Sequence, residues 1–124
     1  MVFKWLYQIT MKDIAEIIKA AGESEIASKR QFIDLLPILE HDWTEDINSQ
    51  IRSVGLNPDA VVVCALSEGS DYWRGLAIKW LQSGYPLSER LADTLESLGN
   101  SVIGTQEDRD VALKLAAEWQ KGND

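Results

Sequence analysis

Residues 57–66 read Asn-Pro-Asp-Ala-Val-Val-Val-Cys-Ala-Leu, and whether they form a helix or a strand decides the fold class. Three consecutive valines, branched at Cβ and stiff at χ1, favour a pleated strand. A strand, however, must pair its backbone amides and carbonyls with a neighbour. The only segments able to offer that pairing are residues 2–9 and the short Ser101-Val102-Ile103. Against the strand stands a helix-start signal. Asn57 can accept from a first-turn amide, and the fixed φ and missing N–H of Pro58 suit the first helical position. The signal decides for a helix over residues 58–67, and with it for an all-α chain.

The same punctuation continues on both sides. Toward the N-terminus, Thr44 caps a helix with Ile47, Ile51 and Val54 inward, and Gly55 ends it. Before that, Ser28 and Gln31 fit a capping box, followed by a buried stripe of Phe32, Leu35, Leu36 and Leu39. Pro37 removes an amide donor and crowds the preceding turn, which predicts a kink or a restart. Thr10 with Asp13 opens the first clear helix; Ile14, Ile17, Ile18 and Ala21 share a face, and Gly22 ends it. Val2, Trp5, Leu6 and Ile9 keep helical spacing ahead of it, although residues 2–9 also fit a strand.

Toward the C-terminus, Ser70 caps a helix in which Trp73, Leu76, Ala77, Trp80 and Leu81 hold one face. Gly84 closes it. Pro86 starts the next, with Leu87, Leu91, Leu95 and Leu98 about a turn apart and Gly99 at its end. Thr105 and Asp108 begin the last helix, with Val111, Ala112, Leu115, Ala116 and Trp119 inward. The joints Gly55-Leu56-Asn57-Pro58 and Gly84-Tyr85-Pro86 both leave a helix by glycine and enter one by proline, and short joints make antiparallel neighbours. The expectation is a single compact domain over residues 1–124, all-α, with about six or seven helices in antiparallel hairpins.

Composition narrows the function classes. With 124 residues, 45% hydrophobic and 26% charged, the chain can bury a core without staples. Cys64 is the single cysteine, so no internal disulfide forms, and its place in the run 61–66 predicts a buried, inert thiol. No apolar run approaches the roughly 20 residues that span a bilayer. The start, Met1-Val2-Phe3-Lys4-Trp5-Leu6-Tyr7, leads into Lys12, Asp13 and Glu16 and lacks the form of a signal peptide; a cytoplasmic location is expected. The formal charge is −8 and the only adjacent basic pair is Lys29-Arg30. Without a cationic footprint to displace phosphate counterions, direct nucleic-acid binding is not expected.

Catalytic and metal chemistry find little to work with. His41, the only histidine, is flanked by Glu40 and Asp42. Sequence neighbours on a helix point apart, and no G-x-S-x-G nucleophile accompanies the imidazole. One Cys and one His do not make a zinc set. Residues 42–46 begin like a calcium loop, but Ile47 stands where its glycine belongs and Ser53 where its glutamate belongs. The eight glycines contain no phosphate-binding loop, and Gly75 is assigned to close helix packing. The expectation is no enzyme, no cofactor and no metal.

The least generic stretch is Gln31–Ile51, with five acids (Asp34, Glu40, Asp42, Glu45, Asp46) and no lysine or arginine. Arg30 and Arg52 bracket it. Trp73, Trp80 and Trp119 fall on apolar stripes and read as core, whereas Trp43 sits among the acids. It is either a plug over the core or a binding anchor. Glu40, Asp42, Trp43, Glu45 and Asp46 are therefore the candidate partner-binding residues, facing a basic protein.

In size, charge and helicity the whole chain resembles the small, acidic, all-helical immunity proteins of bacteria; no motif carries the likeness. That resemblance implies a cytosolic inhibitor of a basic toxin such as a nuclease. Glu40, Asp42, Glu45 and Asp46 would stand in for nucleic-acid phosphates, with Trp43 at the centre. The residues equally fit a helical scaffold or adaptor, homodimeric or not, that binds through an apolar groove.

Overall fold

The computed structural model describes residues 13–23 and 34–122. Among these residues there is no strand, and the regular structure is helical throughout. In chain order it comprises α1 (Ile14–Glu23), a 3₁₀ helix (Leu36–Glu40), α2 (Glu45–Ser53), α3 (Pro58–Glu68), α4 (Asp71–Gln82), α5 (Glu89–Gly99) and α6 (Gln106–Gly122). The expectations for residues 2–9, Thr10, the Ser28–Gln31 capping box and Phe32 lie outside the described residues. By internal contacts the chain divides into two compact units, Met1–Val61 and Val62–Asp124.

Residues 57–66 are helical, as the Asn-Pro signal predicts. Asn57 Oδ1 accepts the amide of Asp59 at 3.0 Å, and Pro58 takes the first helical position. Val61, Val62, Ala65 and Leu66 are buried, and this burial outweighs the strand preference of the valines. Cys64 departs from expectation in being half-buried. At 100° per residue it falls beside the stripe that those four residues define.

In the first unit, Asp13 Oδ1 accepts the Ala15 amide at 3.3 Å and opens α1, which buries Ile17, Ile18 and Ala21. The helix runs on through Gly22 to Glu23. Pro37 sits in the first turn of the 3₁₀ helix and produces the expected restart, with Leu35, Leu36, Ile38 and Leu39 buried around it. Thr44 Oγ1 accepts the Ile47 amide at 3.4 Å and caps α2. At the other end, Gly55 has φ +81°, and the amides of Gly55 and Leu56 donate to the carbonyls of Arg52 and Ile51. This is a Schellman closure. Val54, expected inward, is instead the exposed C-cap that the closure turns out of the helix face. α1 packs against both α2 and the 3₁₀ helix.

In the second unit, Gly84 (φ +109°) ends α4 as expected, and the Tyr85 amide donates back to the Trp80 carbonyl at 3.4 Å. The Trp80 and Tyr85 rings stack with centroids 6.2 Å apart, supplying the apolar contact that accompanies such a closure. Ser70 stands at the N-cap of α4 but accepts no helix amide through its side chain. α5 begins at Glu89 and not at Pro86, because Ser88 Oγ accepts the Leu91 amide at 3.3 Å. An accepted amide bond fixes a helix start more strongly than a proline that merely tolerates one. Thr105 caps α6 through the Asp108 amide at 3.1 Å. The tightest helix pairing in this unit joins α5 to α6 across residues 100–105, and α6 also meets α4.

Two glycines exchange the roles expected of them. Gly99 does not terminate α5 by a left-handed turn; it is the last helical residue, and Asn100 is the cap. A Cβ at this position would collide with the Leu113 side chain and stand 3.1 Å from the Arg109 carbonyl oxygen. Gly99 therefore lets α6 approach. Gly75, by contrast, has room: its Cβ would meet nothing closer than Asp108 Oδ2 at 3.9 Å. Gly75→Ala is expected to raise stability by about 0.5–1 kcal/mol through helix propensity. Gly99→Val should lower it by about 1–3 kcal/mol through overpacking. Urea midpoints of the two variants check both signs, and a destabilised Gly75→Ala would contradict the open space described.

The organising polar residue of this unit is Arg74, only 4% exposed. Nε donates to the Leu66 carbonyl at 3.1 Å, Nη2 to the Gly69 carbonyl at 2.7 Å and Nη1 to Asp71 Oδ1 at 2.7 Å. The guanidinium thus caps the C-terminal end of α3, where orphan carbonyls and the helix dipole both favour a cation. Gly104, at φ +78°, lies against its stem: a Cβ there would be 3.1 Å from Arg74 Cδ. Arg109 holds the same loop from the other side, donating to the Gly104 carbonyl at 2.7 Å.

Candidate functional site

The acidic segment lies in the first unit, on the turn between the 3₁₀ helix and α2. Glu40 is the last 3₁₀ residue. His41 follows in extended conformation (ψ 153°), and its amide donates to the Ile38 carbonyl at 3.1 Å. Glu40, His41 and Trp43 are half-buried, whereas Asp42, Glu45 and Asp46 are exposed. Proline upstream and the Thr44 cap downstream hold the turn between two fixed ends.

Each acid has a definite local setting. Glu45 and Asp46 occupy the first turn of α2, where the positive end of the helix dipole favours carboxylates. Asp46 Oδ2 accepts from Gln50 Nε2 at 2.7 Å, and Glu45 Oε1 meets Arg52 Nη1 at 3.5 Å. The Glu45–Arg52 pair is open to solvent, with 65% and 56% of the side chains exposed, so it screens the field weakly and is easily exchanged for another cation. Asp42 makes no hydrogen bond or ion pair with the described residues.

Trp43 is tied down. Its indole Nε1 donates to Asn48 Oδ1 at 3.1 Å, and Asn48 is fully buried in α2. The tryptophan is thus held inward through its N–H while the residue as a whole stays half-buried. Asn48 Nδ2 has no hydrogen-bond partner among the described residues. Asn48 was missed from the sequence, although it adjoins Ile47 and stands three residues from Ile51 on the buried stripe. Arg74 was missed likewise; with Ala77, Ile78 and Leu81 it forms an i, i+3, i+4, i+7 set one step round from the stripe that was read.

Among the described residues, no three of His, Cys, Asp and Glu gather closely enough to hold a metal ion. No helix among them is long and apolar enough to cross a membrane. The arrangement offers exposed carboxylates on one short turn beside a half-buried tryptophan. No protein-family model, curated protein or solved structure matches the chain.

Proposed function

We propose that this chain is a non-catalytic acidic binding protein that engages a cationic protein through residues 40–46, in the manner of an inhibitor that neutralises a basic toxin such as a nuclease. One observation carries the reading: Asp42, Glu45 and Asp46 are exposed together at a doubly anchored turn, with Arg52 the sole cation paired to any of them among the described residues. An unbalanced, preorganised field of this kind attracts a cationic surface at range and can lift association toward ~10⁸–10⁹ M⁻¹s⁻¹ at low salt. Trp43 adds a rigid aromatic surface whose polar atom is already satisfied by Asn48, so burying it against a partner leaves no N–H unpaired.

The test is to isolate the natural partner on the immobilised chain, establish its charge, and measure association rates over a range of ionic strength. A basic partner whose association slows steeply with salt supports the proposal. A partner of neutral or acidic surface, or binding indifferent to salt, overturns it.

A further inference from the structure

We propose that the second unit carries a separate docking cleft for a segment of a partner protein bearing aliphatic and basic side chains, the basic group seating on Asp93. The cleft, about 320 Å³, opens between the end of α3 (Leu66, Ser67), the flank of α5 (Asp93, Ser97, Leu98) and Ile103. Across Asp93 lies a second hollow of about 370 Å³, shared by Glu96 of α5 and by Leu113 and Ala117 of α6. Asp93 therefore stands on a ridge with a hollow on either side.

Two properties of these surfaces define the occupant. The first is aliphatic exposure that the fold maintains. Ile103, which lines the first cleft, is 49% exposed, and Val102 beside it in sequence is 94% exposed. Their loop is built, since Ser101 Oγ accepts the Ile103 amide at 3.1 Å and Arg109 holds the carbonyls of Ile103 and Gly104. A nearly naked valine held out by several hydrogen bonds suits burial against another chain.

The second property is negative charge in excess and unpaired, with Arg90 the one base on α5. Glu89, Asp93 and Glu96 share one stripe of α5 at i, i+4, i+7 spacing, and none of their side chains pairs with a described residue. Arg74 and Arg109 are engaged elsewhere in this unit, by backbone carbonyls and by Asp71 and Gln106. An entering ammonium or guanidinium would meet free carboxylates, while aliphatic side chains beside it would cover the exposed Ile103 and its neighbour Val102, above the buried Leu66 and Leu98. A small molecule is the poorer fit, because such ligands are taken into pockets that enclose most of their surface, and here Val102, the most exposed aliphatic residue, is not among those lining the hollow.

The full chain, labelled with ¹⁵N, can be titrated with a synthetic amphipathic peptide of leucine and lysine. The expected shift changes concentrate on residues 66–67, 93–103 and 113–120. Asp93→Lys and Val102→Asp, both at exposed positions, should each weaken binding about tenfold with the circular dichroism unchanged. Changes confined to residues 40–46 would overturn this cleft while leaving the proposed acidic turn standing. Changes at the cleft with residues 40–46 silent would support the cleft independently of that turn. Equal binding of a leucine–glutamate peptide would overturn the charge assignment. Concentration-dependent shifts of the cleft without peptide would assign it to a second copy of the chain and overturn the proposal.

Discussion

Arg74→Met is expected to lower stability by about 3–5 kcal/mol, the range for breaking a buried charged network from one side. Methionine keeps the apolar stem of the side chain, so the loss falls chiefly on the guanidinium. Three donors disappear, and the carbonyls of Leu66 and Gly69 lose the bonds they accept at 3.1 and 2.7 Å. Carbonyls left unpaired inside a protein cost about 1–3 kcal/mol each. Arg74→Lys should recover little, because one compact ammonium cannot span three acceptors set out for a planar fork. Asp71→Asn serves as the control. Its side chain is 65% exposed, and removing its charge should cost less than about 1 kcal/mol. Urea unfolding measures all three, and an Arg74→Met chain within about 1 kcal/mol of the parent would mean that water replaces the clamp without penalty.

The second large effect is kinetic. The triple variant Asp42→Asn, Glu45→Gln, Asp46→Asn removes charge while preserving shape, and the amide oxygen introduced at position 46 can still accept from Gln50. Association with a cationic partner should slow about ten- to a hundredfold at low salt, and its dependence on ionic strength should flatten. Dissociation should change far less, since exposed charges act mainly on the encounter. Stopped-flow traces at several salt concentrations separate the two. An unaltered association rate would remove residues 40–46 from the interface.

The parts of the fold legible in the sequence are those set by local chemistry. Asn57, Thr44 and Thr105 each accept the first-turn amide their positions predict, and Gly55 and Gly84 adopt the positive φ that ends a helix. The helix at residues 57–66 belongs to this class: its start signal was local, whereas the competing strand needed a distant partner. What escaped depends on neighbours brought together by folding. Nothing near Gly99 in sequence reveals that Leu113 and the Arg109 carbonyl will press upon it. The burial of Arg74 is intelligible only once the end of α3 supplies carbonyls for it, and Asn48 only once Trp43 turns its N–H inward. At the acidic turn the residue types were readable, but their partners were not; Gln50 and Arg52 had to be placed beside Asp46 and Glu45 by the winding of α2.

The contact between Gly104 and Arg74 has an evolutionary consequence. Any side chain at position 104 would press on the stem of the arginine and also strain a backbone at φ +78°. Drift at one of these positions is therefore tied to drift at the other, though they are thirty residues apart in sequence. A diverged descendant that acquires valine at 104 would have to shorten residue 74 and find another way to close the end of α3, so the pair should covary as a single inherited character.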